Sequence, residues 1–225
     1  MATLRKSIIG TLKGSLSNIV FRERNGKVVA YTKPSKQRIS KSEAAVKARN
    51  KFGLTVVFAK EINSNETLAK IWEQLKVKAT NSYQKIIKIN SKLTDSNSLS
   101  LKNKITPDGL PFKGFSAEYK SNILKMTLNF ENTSGDLLKS EKLFCIVYVW
   151  KENSKPTKLK SDIDYRIKLF EFNLKPPTQF KEQSFECDIK SIRGNSFDNG
   201  IMYIALAGSY RSKLIWSSTI SKKFM

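Results

Sequence analysis

Residues 142–150 read KLFCIVYVW, and this run decides the fold class of the second half of the chain. β-Branched and aromatic residues dominate it, which is typical of a β-strand. Six further runs of this kind follow residue 114, and turn-rich segments such as NTSGD at 132–136 separate them. Seven short strands at this spacing predict an antiparallel β-sandwich of the immunoglobulin or fibronectin type over residues 111–225.

Two of these runs alternate apolar and polar residues. ILKMTLNF at 123–130 and KLFEFNL at 168–174 each carry apolar side chains at every second position. Successive side chains of a strand point to opposite faces of the sheet. The alternation therefore predicts sheets with one buried face and one face in solvent.

Upstream of the strands, the apolar spacing changes to that of a helix. Ser40 and Glu43 have the spacing of a capping box that would start this helix. One face is predicted to be apolar and to consist of Ala45, Ala48, Phe52, Val56 and Ala59. Gly53 lies inside the helix, where glycine costs about 1 kcal/mol relative to alanine. We therefore expect a kink or a close packing contact at Gly53.

Two more helices are expected further along, at residues 66–78 and 83–93, because leucine and isoleucine recur there at helical spacing. The segment at 94–114 is rich in Ser, Asn, Lys, Pro and Gly and is predicted to be a connection. The sequence thus predicts an α+β protein with two domains. A basic β-hairpin plus helical region would occupy residues 1–110, and the β-sandwich would occupy residues 111–225.

The hairpin is predicted from NIVFRERNGKVVAY at residues 18–31. Asn25 and Gly26 tolerate positive φ, which a type I′ turn requires at both central residues, and the flanking residues favour strands. A two-stranded ribbon is marginally stable in water by itself. We therefore expect the hairpin to pack on something else.

Charge is concentrated in the same region. The formal net charge of the chain is +22, and residues 1–51 hold 13 lysines and arginines against Glu23 and Glu43. Such an excess predicts a polyanion or an acidic protein surface as partner. A solvated, lysine-rich composition without a function is the alternative.

The residue inventory argues against catalysis and metal binding. The chain has no histidine, and no glycine loop of the kind that cradles phosphate. Asp162 and Asp164 lie two residues apart, but a solvated turn is the simpler interpretation. Cys145 and Cys187 both fall in expected strands and are interpreted as buried free thiols, with a disulfide as the alternative. We expect no enzyme activity, cofactor, metal or small-molecule substrate.

The sequence also gives an expectation for the location of the protein. We find neither the apolar core of a signal peptide nor a run as long as a membrane span. The expectation is a soluble protein made in the cytoplasm, with no membrane partner and with incorporation into a virion as a further step.

The two ends of the chain resemble a group of uncharacterised proteins from Bacteroidota and from phage or prophage gene neighbourhoods. Those proteins open with glycines, a "GNVV" strand, a Gly-Lys turn and a basic residue before proline, then a helix with an Arg-x-x-Phe step. The matching positions here are Gly10, Gly14, Asn18, Val20, Gly26, Lys27, Lys33, Pro34, Arg49 and Phe52. Ser17 stands where a glycine is common in the group, and IWSSTIS at 215–221 resembles its closing strand. The resemblance implies a mobile-element context and a structural part.

These observations favour a non-enzymatic structural or assembly protein of phage or prophage origin. A basic arm would dock on neighbouring subunits of an assembly, as in a homo-oligomer, or on packaged nucleic acid. The alternative is a protein that binds DNA or RNA through the phosphate backbone without sequence preference. The residues predicted to make the contacts are Arg22, Arg24, Lys27, Lys33, Lys36, Arg38, Lys41, Lys47, Arg49 and Lys51. Lys47, Arg49 and Lys51 are expected on the polar face of the first helix.

Overall fold

The computed structural model describes residues 2–4, 14–24, 27–33, 40–131, 133, 135–152, 163–193 and 197–225. Within these ranges the chain forms four α-helices and three antiparallel sheets, so the predicted α+β class is confirmed. The chain divides into two compact units, residues 1–42 and residues 43–225.

The first unit is a four-stranded sheet with the order β1-β4-β3-β2. Its strands are β1 (Ala2–Leu4), β2 (Gly14–Leu16), β3 (Ile19–Arg24) and β4 (Lys27–Thr32). The predicted hairpin is β3–β4, in which Arg24 pairs with Lys27 and Ile19 pairs with Thr32. Asn25 and Gly26 themselves lie outside the described residues.

A second tight turn joins β2 to β3 at Ser17 and Asn18. Ser17 has a φ of 54°, in the left-handed region that glycine adopts most readily. A glycine at this position would adopt the same conformation without the steric cost of a Cβ.

The second unit begins with three helices, α1 (Glu43–Asn63), α2 (Glu66–Gln74) and α3 (Ser82–Leu93). An asparagine caps each of the last two. The side-chain oxygen of Asn65 accepts the Leu68 N–H at 3.1 Å, and that of Asn81 accepts the Gln84 N–H at 2.9 Å. These caps satisfy backbone donors that the first helical turn leaves unpaired.

The buried face of α1 differs from the predicted one. The buried residues are Leu54, Thr55, Phe58, Ala59 and Ile62. Of the predicted stripe, Ala48 is exposed and Phe52 is 58% exposed. The reason is that burial begins at Leu54, so that only the second half of the helix faces the core.

Gly53 corrects a second expectation about α1. A Cβ at Gly53 would have no atom within 4 Å, and the helix continues through this position. The predicted close contact is therefore wrong. The predicted capping box is also wrong, because Glu43 is the first residue of the helix and its carboxylate pairs with Lys47.

In the described part of the chain, eight strands follow and form two sheets. They are β5 (Phe115–Lys120), β6 (Ile123–Asn129), β7 (Lys142–Glu152), β8 (Ile163–Asn173), β9 (Glu182–Asp188), β10 (Asn199–Tyr210), β11 (Lys213–Trp216) and β12 (Ile220–Lys223). One sheet has the order β5-β6-β9; the other has the order β11-β10-β7-β8, with β12 also paired to β10. The short helix α4 (Lys190–Arg193) lies between β9 and β10.

The strands β7 and β10 are buried on both faces. On one face, Cys145 and Val147 pack in a core that includes Leu124 and Met126 of β6. On the other face, alternate residues of β7 and β10, such as Tyr148, share a core with the three helices. The second unit therefore has a helical layer, a five-stranded sheet and a three-stranded sheet. This double burial explains why KLFCIVYVW is almost continuously apolar.

The compact units do not follow the predicted division at residue 110. Phe58 of α1 and Trp72 of α2 are fully buried in the same cluster as Phe144 and Tyr203 of the five-stranded sheet. The rings of Phe58 and Tyr203 lie 5.3 Å apart. The helices and the strands thus share one core, and only residues 1–42 form a separate unit.

The predicted connection at 94–114 is firmly bound to the end of the chain. The Thr219 hydroxyl accepts the N–H groups of Ile105 and Thr106 at 2.9 and 3.0 Å. Ser218 accepts the Gly109 N–H at 3.0 Å. Residues 217–219, which read SST and lie between β11 and β12, therefore hold the segment 94–114 in place by hydrogen bonds. This role accounts for part of the IWSSTIS run.

Candidate polyanion or partner interface

The sheet of the first unit has one basic face. Register pairs Arg22 with Val29 and Val20 with Tyr31, so these side chains share a face with Lys27. Arg22 and Lys27 are exposed, whereas Val20, Val29 and Tyr31 on the same face are half-buried. The backbone of Arg24 pairs with Lys27 at the end of the same hairpin.

The opposite face of this sheet is apolar. It carries Leu16, Ile19, Phe21 and Val28, of which Leu16 is 70% exposed and Val28 is buried. Glu23 also belongs to this face, because it pairs with Val28. Glu23 is the only acidic residue among the first 42. Strand alternation thus separates the single carboxylate from Arg22 and Lys27.

The remaining predicted residues of this unit are only partly described. Lys33 and Lys41 are exposed, and the Lys33 N–H donates to the Asn18 carbonyl at 2.5 Å. Lys36 and Arg38 lie outside the described residues. Four of the predicted residues up to residue 41 are therefore exposed: Arg22, Lys27, Lys33 and Lys41.

The basic residues of α1 do not share one face. Lys47 and Lys51 are four residues apart and lie on the same side, but Arg49 is about 200° from each of them at 3.6 residues per turn. Lys47 and Arg49 are exposed, whereas Lys51 is half-buried. The expectation of a common polar face for the three is wrong, because their spacing of two suits a strand and not a helix.

Lys47 is already partnered. Its ammonium forms an ion pair with Glu43 at 2.5 Å, and the hydrogen bond and charge of Lys47 hold the pKa of the Glu43 carboxyl below its ordinary value. A lysine with this partner contributes less net positive charge to an outside anion. Of the predicted residues whose exposure the structure describes, this pairing leaves Arg22, Lys27, Lys33, Lys41 and Arg49 as the exposed cationic candidates.

The two cysteines are free and buried. Cys145 lies on β7 and Cys187 on β9, and both belong to the core between the two sheets. The hydrogen bond with Cys187, together with burial, raises the pKa of the Cys145 thiol well above its ordinary value. A buried thiol with a raised pKa is a poor nucleophile.

The other chemical candidates are also isolated. Asp162 lies outside the described residues, and Asp164 is exposed on β8 opposite Lys151. Among the described residues, no group of three or more Cys, Asp or Glu is placed to hold a metal ion.

A cleft of about 370 Å³ has two acidic side chains on its rim. Asp108 and Asp136 line it together with Trp216. Lys104 pairs with Asp108 at 2.6 Å, and Lys139 pairs with Asp136 at 3.1 Å. Each carboxylate is therefore neutralised by a neighbour in sequence, which leaves the cleft without net charge.

Comparison of the chain with protein families, with curated proteins and with solved structures finds no match. Within the described ranges, none of the helices combines the length and the apolar character needed to cross a bilayer. What can be inferred about function therefore comes from the charged surfaces of the chain.

Proposed function

We propose that the protein is a non-enzymatic structural or assembly protein of phage or prophage origin. Its basic arm, defined as residues 1–51, docks on neighbouring subunits or on packaged nucleic acid. The observation that carries this proposal is the basic face of the first unit, where Arg22 and Lys27 are exposed and the single carboxylate lies on the other face. A surface of one sign attracts a partner of the opposite sign.

The second unit supplies the rigid part of such a protein. We infer that its two sheets form an immunoglobulin- or fibronectin-like sandwich. In support, its first, second and fifth strands form one sheet, and its third and sixth strands pair at the centre of the other. The same grouping occurs in immunoglobulin domains, where strands A, B and E oppose C, F and G. Here the fourth strand, β8, joins the sheet of the third.

The non-enzymatic part of the proposal rests on the residue inventory. The chain has no histidine, and its two cysteines are buried. General acid–base and nucleophilic catalysis depend most often on such groups in accessible positions. An assembly protein of this origin would be made in the cytoplasm and then incorporated into a virion.

A second candidate is binding of DNA or RNA without sequence preference. The half-buried ring of Tyr31 lies on the same face as Arg22 and Lys27. Cations that contact phosphates, next to an aromatic ring on which a base can stack, are the usual components of such a surface. In this case the subunit-docking role would be absent.

The test compares two double charge reversals in the full chain. Arg22→Glu with Lys27→Glu removes the basic face, and Lys76→Glu with Lys92→Glu makes the same charge change at exposed lysines of the second unit. Binding of labelled duplex and single-stranded DNA is measured by anisotropy from about 50 to 300 mM salt. Oligomeric state is measured by light scattering without nucleic acid.

The proposal predicts that only the first double variant weakens docking. For nucleic acid, the slope of log affinity against log salt should fall by about two, since each phosphate contact contributes about 0.9. For subunit docking, the first variant should dissociate oligomers that the second leaves intact. Equal behaviour of the two variants in both assays would refute the proposal.

A further inference from the structure

The outer face of the three-stranded sheet carries more acidic than basic side chains, in contrast to the chain as a whole. Its exposed charged residues are Glu118, Lys120, Lys125, Glu182, Glu186 and Asp188. Four of these are acidic and two are basic, while the chain as a whole has a formal charge of +22. We call these six residues the acidic face.

The register of the sheet arranges the acidic face as a grid. Glu118 pairs with Lys125, which pairs with Glu186, so that one row runs across all three strands. On β9, Glu182, Glu186 and Asp188 point outward at even-numbered positions, and alternate residues of a strand lie about 6.7 Å apart. The acidic charge is therefore concentrated along β9.

These carboxylates keep their charge available to a partner. Among the residues that the structure describes, no carboxylate of the acidic face forms an ion pair with a lysine or arginine side chain, although Asp188 accepts the backbone N–H of Lys190 at 2.8 Å. This contrasts with Glu66 and Asp108, whose carboxylates each pair with a lysine at 2.6 Å. Neutralisation of the acidic face from within the described chain is therefore weak.

The position of β9 also leaves it accessible. In the described chain β9 pairs with β6 on one side and has no strand on the other. Charges on such an edge strand discourage unwanted strand addition, which is the simplest alternative explanation for them. The same charges recognise a partner of opposite sign when one is present.

We propose that the acidic face binds the basic N-terminal sheet of a second copy of this chain. This inference rests on the proposed docking function and names its partner surface. The first 42 residues carry ten lysines and arginines against Glu23, so each copy supplies the complementary charge. Arg22 and Lys27 are exposed on one face of that sheet, as Glu186 and Asp188 are on β9.

The contact joins two different surfaces, so it is head-to-tail. Contacts of this type close into a ring or continue as an open chain. The acidic face spans only three short strands, which is small for a stable interface. The association should therefore be weak and strongly salt-dependent, and it should be cooperative only in a large assembly.

The experiment uses two triple variants of the full chain. In the arm variant, Arg22, Lys27 and Lys33 become Glu; in the face variant, Glu182, Glu186 and Asp188 become Lys. A control variant with Glu73→Lys, Asp95→Lys and Glu131→Lys alters three other exposed carboxylates. Circular dichroism confirms folding, and sedimentation velocity at about 50 mM salt measures association. A milder variant, Glu182→Gln with Glu186→Gln and Asp188→Asn, replaces the face variant if the latter misfolds.

The expected result is that the native chain and the control variant associate, whereas the arm and face variants are each monomeric. An equimolar mixture of the arm and face variants should recover association, because the native basic arm of the face variant meets the native acidic face of the arm variant. The milder variant should weaken association about tenfold or more.

Two results would overturn the inference. If the face variant associates like the native chain, the acidic residues serve only to discourage strand addition at the edge of the sheet. A native chain that stays monomeric at low salt would exclude self-docking, and arm-dependent DNA binding in the same preparation would then keep the proposed function with nucleic acid as the partner. Loss of both activities would refute the proposed function as well.

Discussion

Replacing Gly53 with alanine should stabilise the second compact unit. Gly53 lies inside α1, a helix of 21 residues, and a new Cβ would meet no atom within 4 Å. The substitution therefore removes the conformational entropy penalty of glycine without a steric cost. The expected gain in the free energy of unfolding is about 1 kcal/mol, which corresponds to about 2–4 °C in Tm for a unit of this size.

Gly114 provides the matched control. A Cβ there would lie 1.7 Å from the carbonyl oxygen of Asn129, so the backbone of two segments would have to separate. Gly114→Ala should lower the free energy of unfolding by about 3 kcal/mol or more, in the range of severe overpacking. Both variants lie in the same unit, so one urea or thermal unfolding experiment followed by far-ultraviolet circular dichroism compares them directly.

A destabilised Gly53→Ala variant would refute the reasoning. It would mean that α1 bends at Gly53 or that another part of the chain packs on it in solution. An unchanged stability would mean that the first half of the helix is frayed, because helix propensity counts only where the helix is formed. Equal effects of the two alanine variants would show that the contact at Gly114 is relieved by a small backbone shift.

Three further predictions concern turns, the connection and pH. Ser17→Gly should stabilise the first unit by about 1 kcal/mol, because Ser17 has positive φ, and Ser15→Gly in the adjacent strand should not; hydrogen exchange of the sheet amides measures both. Thr219→Val should cost about 2–3 kcal/mol in urea unfolding, since two backbone N–H groups lose their acceptor, and no loss would mean that water replaces the hydroxyl. Burial raises the pKa of Tyr148 and Tyr203 well above 10, so the stability from their neutral form is complete below about pH 10 and falls as pH rises further. Ultraviolet titration should find both phenols ionising only with unfolding, and free ionisation in the folded state would contradict this.

Much of the fold could be predicted from local patterns. The strands were predicted because branched and aromatic residues cluster there, and the hairpin β3–β4 because Asn-Gly separates two such runs. The two-residue turns at Ser121–Asn122 and Arg211–Ser212 carry no glycine, yet all four residues have positive φ. Pairing of the flanking strands imposes positive φ on these residues. The residue types in the turn therefore do not predict the turn conformation.

The packing of the helices was harder to predict. The stripe through Ala48 and Phe52 is as regular as the buried one through Leu54 and Phe58, and periodicity cannot tell which half of a long helix meets a sheet. The same limit explains why the predicted domain boundary at residue 110 does not match the compact units of the structure. A change from helical to strand patterns marks a change of element, but helices and strands here share one core.

The charge pattern of the first unit could be predicted only in part. The concentration of lysine and arginine before residue 52 was evident from counting, whereas the orientation of Glu23 depends on the register of the hairpin. The acidic face was not predicted, although the run EQSFECD on β9 contained the signal. Its acidic residues at even-numbered positions, with Gln183 and Cys187 between them, already suggest one charged and one buried side.

The double burial of β10 has a consequence for synthesis on the ribosome. The helices α1 to α3 end at residue 93, but β10, one of the strands against which they pack, is complete only at residue 210. At about 5–20 residues per second, the apolar faces around Phe58 and Trp72 remain without the complete sheet for roughly 6–23 s. During this interval the nascent chain presents a ready target for chaperones. We expect ribosome-bound chaperones to crosslink most strongly to nascent chains that are stalled between these two lengths.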